Sequence, residues 1–199
     1  MGIDEYGRLP VSRSVIWLGV AAAVVIAFAG ACQSAPATHP SAVAPAPAPA
    51  HAGPAGDGPS VSAAMICQPE ATGEIAIALG APTSKQPVGT WQAQDHVYSC
   101  RFDYATGFMV LSVKEMSDAA ATDAYFTAAQ QSLSSSTPLK VLGQTAFEGP
   151  DGSLYVRKDF KVLHVDVAGL PDHFGQQSIT RADVAFRAAA AVMSCWTGA

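Results

Sequence analysis

His164 and Asp166 stand two residues apart in the segment KVLHVDVAGL. On a strand that spacing points both side chains to one face, where they could ligate a metal or form a carboxylate-oriented base. His173, on the Pro171-Asp172 loop, could add a third group, and a metal site needs three or four ligands. The same pair arises wherever a strand has a solvated face, and nothing in the spacing requires His173 to join it. Glu70 and Glu74 fall on one helix face and could act as paired carboxylates. Acids in a first helical turn more often complement the helix dipole. Arg157, Lys158 and Lys161 surround Asp159 and read as an ion-paired hairpin end able to attract an anion. Serines 134–136 belong to a loop before they are nucleophiles. The sequence contains no G-x-S-x-G, H-E-x-x-H, phosphate-loop or dinucleotide fingerprint. No catalytic residue, metal or cofactor is therefore assigned.

Cys32 carries a different chemistry. Residues 1–13 are polar and include Arg8 and Arg13, and no charge occurs from Ser14 to Ala31. That stretch is long for a secretory signal of about 7–15 apolar residues and close to the lower bound of about 17 for a membrane span. Ala29-Gly30-Ala31-Cys32 resembles a bacterial lipobox, with Ala29 where the pattern prefers leucine. Such a signal is cut before Cys32, whose thiol is lipidated. An ordinary signal peptidase would find an A-x-A site at the same bond, and an uncleaved anchor is the third alternative. All three place later residues outside the cytoplasm, because Arg8 and Arg13 hold the N-terminus inside.

Outside, thiols can oxidise. Cys67, Cys100 and Cys195 make an odd set, leaving one thiol for another fate. Cys67–Cys100 is the expected disulfide and would close a loop of about 34 residues. Cys67–Cys195 is the alternative and would tie the domain's ends together. The chain has no C-x-x-C, and no two of these cysteines have zinc-ligand spacing.

Residues 32–64 contain seven prolines among Ala, Gly, Ser and Thr. They bury too little apolar surface to offset their ordering entropy, so a disordered tether is expected, extended at APAPAPA. His39 and His51 within it are incidental. Residues 65–199 are one domain by length. They carry nine Lys/Arg against thirteen Asp/Glu, a net −4. No basic stripe exists for nucleic acid, which excludes that partner class.

Positioning the candidate residues requires a set of elements. Pro69 and Gly80 bracket a helix with Ala71, Ile75, Ala78 and Leu79 on its inner stripe. Residues 81–94 read as a loop, with His96 on the surface and Trp91 a core lid or contact. HVYSCRFDY alternates, placing Tyr98, Cys100, Phe102 and Tyr104 on one face and Val97, Ser99, Arg101 and Asp103 on the other. FMVLSVKE completes a hairpin. Ser117 or Asp118 caps a helix running to about Leu133. KVLGQTAF, SLYVRKDF and KVLHVDVAGL are three more strands. Thr180 and Asp183 form a capping box for the last helix, with Val184, Ala188, Ala191, Val192 and Cys195 facing the core. The expected fold is α+β: a mainly antiparallel sheet of about five strands, order α-β-β-α-β-β-β-α, with helices on one face.

Cys67 at the first helix, YSC on a strand, LGQTAF, RKDFKVLHVDV and the terminal CWTG, together with the lipobox and the Ala/Pro tether, resemble small actinobacterial lipoproteins. Their extracytoplasmic domains are of the PsbP-like α+β type. The resemblance covers 65–198 and implies a fold and a location; the family carries no assigned chemistry.

The expected function is a non-catalytic binding or accessory module on the outer face of the cell membrane, held by lipid at Cys32. Its partner would be an envelope protein, a cell-wall component or a small ligand. The expected binding surface is a helix-free sheet face carrying Arg101, Asp103, His164 and Asp166. An extracytoplasmic enzyme using His164, Asp166 and His173 is one alternative. A structural subunit joined through a cysteine, beside an exposed apolar patch at Cys195 and Trp196, is another.

Overall fold

The computed structural model describes residues 58–196. The signal segment, Cys32 and most of the tether lie outside the described residues. The first described element, helical turn α1 (Val61–Ala64), is capped by Ser60, whose side chain accepts from the Ala63 N–H. Residues 61–64, expected to belong to the tether, are thus helical. Ala63 and Ile66 are fully buried, and the Glu115 carboxylate accepts from the Ser60 N–H at 3.1 Å. A 3-10 turn (Met65–Cys67) leads to α2 (Pro69–Leu79), which ends on Gly80 in the left-handed region.

The sheet has seven antiparallel strands, more than the expected five. They are β1 (Val88–Gln92), β2 (Val97–Tyr104), β3 (Gly107–Glu115), β4 (Thr137–Val141), β5 (Gln144–Glu148), β6 (Leu154–Lys158) and β7 (Lys161–Asp166). Their order is β1-β2-β3-β7-β6-β5-β4. Two differences from the sequence reading account for the count. The segment expected to be a loop contains β1, an edge strand after Pro87 that pairs with β2. KVLGQTAF holds the end of one strand, a turn and most of the next strand of a hairpin, because Leu142 and Gly143 both take positive φ (44° and 83°) and reverse the chain. That is the backbone demanded by a two-residue hairpin turn.

The first face of the sheet buries Cys100, Phe102 and Tyr104 of β2, Met109, Leu111 and Val113 of β3, and the inner residues of β6 and β7. Against it lie α2 and α4 (Arg181–Cys195), the latter opened by the Thr180–Asp183 capping box. The Cys67–Cys100 disulfide fastens the N-terminal turn to the middle of β2. Cys67 is therefore not available to the alternative partner Cys195, and Cys195 and Trp196 are themselves buried, so neither contributes to the exposed apolar patch expected beside them.

Helices do not keep to one face. The third helix, α3 (Ala119–Ser132), is capped by Asp118 and packs Phe126 on Phe147 and Val162, residues of the second face. Strand alternation forces this: Phe147 and Val162 stand beside inward Ala146 and Leu163, and their apolar area needs its own cover. A two-stranded hairpin, β8 (His173–Phe174) and β9 (Ile179–Thr180), precedes α4. Among the described residues no helix is long and apolar enough to cross a membrane.

Candidate functional site

Arg101, Asp103, His164 and Asp166 do share the second sheet face. Register aligns Arg101 with Val110 and Val110 with Asp166, and one row back Ser99, Ser112, His164, Tyr155 and Phe147. Along that row side chains grade from hydroxyl to aromatic. Ser99 and Ser112 hydroxyls meet at 3.1 Å, while the His164 and Tyr155 rings stack at 4.0 Å and Tyr155 stacks on Phe147 at 4.7 Å. The face is not helix-free, because α3 covers the aromatic end.

Its charged groups already have partners within the protein. Arg101 Nε donates to Asp103 at 2.9 Å and its guanidinium lies 3.5 Å over the Phe108 ring; Lys85 Nζ is 3.1 Å from the other Asp103 oxygen. The Lys85 hydrogen bond, followed by Arg101, holds the Asp103 carboxyl below the usual range despite opposing desolvation. Asp166 turns back to accept from the Ala168 N–H. His164 is mostly buried rather than solvated.

Burial pushes the His164 imidazole below its ordinary 6.5, with Asp166 and Asp151 pulling weakly upward. The unfolded chain titrates this group near 6.5. As pH falls below that value, the unfolded state takes the proton first, so the folded state loses stability. The urea midpoint is expected to drop between about pH 7 and pH 5. His164→Gln should flatten that slope. It should leave the separate loss below about pH 4, where Asp103 and Asp118 protonate; the Ala121 N–H holds Asp118 low. An unchanged slope in the variant would show that His164 is not the titrating group.

His173 does not join His164 and Asp166. It lies on β8, and its Nδ1 is 3.2 Å from the Ser178 carbonyl. A carbonyl only accepts, so Nδ1 carries the proton and Nε2 is the ring's acceptor in the neutral form. Among the described residues no three His, Cys, Asp or Glu side chains gather as a metal site. The proposed three-residue enzyme centre is therefore not formed. The basic hairpin end is also dispersed: Arg157 pairs with Asp123 of α3, and Lys158 donates to the Trp196 carbonyl. His96 is half-buried against Trp91 rather than on the surface, with its backbone at φ 48°.

A more distinctive site lies where the C-terminus of α2, the β2–β3 turn and the β8–β9 hairpin meet. They form an open recess of about 500 Å³ lined by Ala81, Tyr104, Thr106, His173, Phe174 and neighbours. That volume falls within the range of small-molecule sites. The lining contains no Lys, Arg, Asp or Glu. Strand alternation turns Tyr104 inward with Cys100 and Phe102, and only 7% of its surface is exposed. Its ring meets Phe174 edge-on at 4.9 Å. Its hydroxyl is buried without a hydrogen-bond partner, and burial raises its pKa well above the ordinary 10, keeping it a protonated donor. Sequence reading placed Tyr104 on the correct face. It missed the cavity, because an unmet hydroxyl is a fact of packing and composition carries no sign of it.

An unsatisfied buried hydroxyl costs about 1–3 kcal/mol. Tyr104→Phe should therefore stabilise the empty domain by about 1–2 kcal/mol in urea titration. A loss of stability would mean that the hydroxyl has a partner after all.

Two strapping arginines hold the hairpin wall in place. Arg181 Nε donates to the Leu170 carbonyl at 2.7 Å, and Arg187 donates to the Ala78 carbonyl and to Gln177 Oε1, each at 3.3 Å. No family model, curated protein or solved structure matches this chain.

Proposed function

We propose that the chain is a membrane-held, extracytoplasmic binding module without catalytic function, whose outer domain takes a small ligand in the Tyr104 cavity. The cavity is the observation that carries this reading: an apolar recess with an unmet buried donor suits holding a molecule. The second sheet face supports it less, since Arg101 and Asp103 pair with each other and Asp166 already accepts from a backbone N–H.

The Cys67–Cys100 disulfide supports an oxidising compartment. The charge-free run before Cys32 and the lipobox-like Ala29-Gly30-Ala31-Cys32 support a lipid anchor. Membership of the PsbP-like lipoprotein family rests on the quoted phrases and is compatible with an antiparallel α+β sheet. Residues beyond Cys32 then act as a tether, which raises the local concentration of the domain near the membrane without adding contacts.

One experiment addresses binding. A photo-crosslinking residue replaces Thr106, in the cavity lining, or exposed Glu70 on α2, in intact cells. A discrete small-molecule adduct at position 106, absent at position 70, is expected. The same adducts at both positions would remove the cavity as the binding site. The anchor is tested apart from it. Wild-type protein should enter the detergent phase on phase partitioning, and Cys32→Ala should lose the lipid mass from its N-terminus. A wild-type N-terminus lacking lipid would end the lipoprotein reading and leave the cavity untouched.

A further inference from the structure

Within the reading of the cavity as a binding site, we propose that its ligand is an uncharged molecule: an apolar body bearing a carbonyl oxygen that accepts a hydrogen bond from Tyr104. Three observations converge on that class. The lining is mainly apolar and supplies no ionised side chain of fixed charge, so a carboxylate or ammonium would surrender hydration without a counter-charge. The Tyr104 hydroxyl is a donor held protonated, and it lacks an acceptor within the protein. A carbonyl oxygen has lone pairs and no proton of its own, so it matches a donor and needs no second partner.

Access follows from the same geometry. The hydroxyl is shielded from water, and Phe174 stands edge-on to the Tyr104 ring from the short β8–β9 hairpin. Each strand of that hairpin has two residues, and its connection turns through left-handed Gly175 (φ 67°) and Ser178 (φ 53°). Reaching the hydroxyl therefore requires a wall of the recess to shift, and Phe174, packed on the Tyr104 ring, is the lining side chain placed to do so. Arg181 and Arg187 limit the movement by holding either end of the hairpin.

The test uses the purified full-length chain with three probes of one shape: acetophenone, ethylbenzene and benzoate. Binding is followed by NMR at the methyl groups of Ala81, Ala105 and Thr106. Acetophenone should bind about three- to tenfold more tightly than ethylbenzene, the range of one net hydrogen bond, and benzoate should leave these methyls unmoved. Tyr104→Phe keeps the ring and should make the two neutral probes equal; unchanged core methyls of Leu111 and Val113 would show that the variant is folded. Equal affinities in the wild type, or tighter benzoate binding, would overturn the ligand class while the cavity remained a binding site. If none of the probes moves the cavity methyls, both the class and the site fall.

Discussion

Replacing Cys67 and Cys100 together by alanine should lower the unfolding free energy by about 3–4 kcal/mol. The disulfide spans 33 residues in sequence, so breaking it frees a substantial loop in the unfolded chain. The native side adds to the effect. Cys100 is fully buried between Gly89 of β1 and Leu111 of β3, and Cys67 carries the turn that lays Ala63 and Ile66 on the core. Without the bridge, the first segment of the domain can peel away while the sheet stays paired. The expected shift in urea midpoint is about 1–3 M. Adding reductant to the wild type should reproduce it, whereas reductant should not move the double variant, which keeps a single cysteine in residues 65–199. Coincident curves for reduced and oxidised wild type would show that the bridge contributes nothing. For a domain of this length the predicted loss is a large share of the usual 5–15 kcal/mol.

Strong periodicity made part of this fold legible in the sequence. β3, and β2 from Cys100 on, alternate because one side of each faces the core that α2 and α4 cover, and α4 announces its start through Thr180 and Asp183. The missed elements lack that contrast. β1 has no buried side chain at all, and its Gly89 is there because the Tyr98 ring lies against it: a Cβ would come within 1.7 Å of the Tyr98 hydroxyl. No count of apolar residues reveals such a contact. Leu142 gives no hint of its turn, since the leucine side chain does not favour positive φ. In α3 only Thr122 and Phe126 are buried, so its own stripe is too thin to choose a face. The choice is made by Phe147, Tyr155 and Val162 on the sheet beneath. The candidate site divides in the same way. Alternation put Arg101, Asp103, His164 and Asp166 on one face, yet it could not show that Arg101 and Asp103 pair, that Asp166 bonds the Ala168 N–H or that His164 is desolvated. Tyr104 mattered through what it fails to touch, and His173 through a loop whose path depends on backbone packing far from it.

That packing concentrates at Gly107, and Gly107→Ala should cost about 2–4 kcal/mol while closing or deforming the cavity. The residue sits at φ 152°, and a Cβ there would lie 2.4 Å from the Gly169 carbonyl oxygen and 3.3 Å from Leu170 Cα. Both obstacles are backbone, so no side-chain rotation relieves them. The approach is held from the other side too: the Phe108 N–H donates to the Gly169 carbonyl at 3.1 Å, and a Cβ on Gly169 would meet the Phe108 carbonyl at 2.7 Å. Paired glycines thus let the end of the β2–β3 turn touch the segment leading into β8. Ala105 and Thr106 on that turn, and His173 and Phe174 after that segment, form facing parts of the cavity wall. Forcing the two backbones apart moves both at once. Gly143→Ala is the comparison. Gly143 also has positive φ, 83°, but a Cβ there meets nothing within 4 Å. It should cost only the left-handed backbone penalty, about 1–2 kcal/mol, and leave the Ala105 and Thr106 methyl signals in place. Equal losses for the two variants, with those signals unmoved in both, would mean that Gly107 is required for its dihedral alone. The cavity would then owe nothing to the close approach of these two backbones.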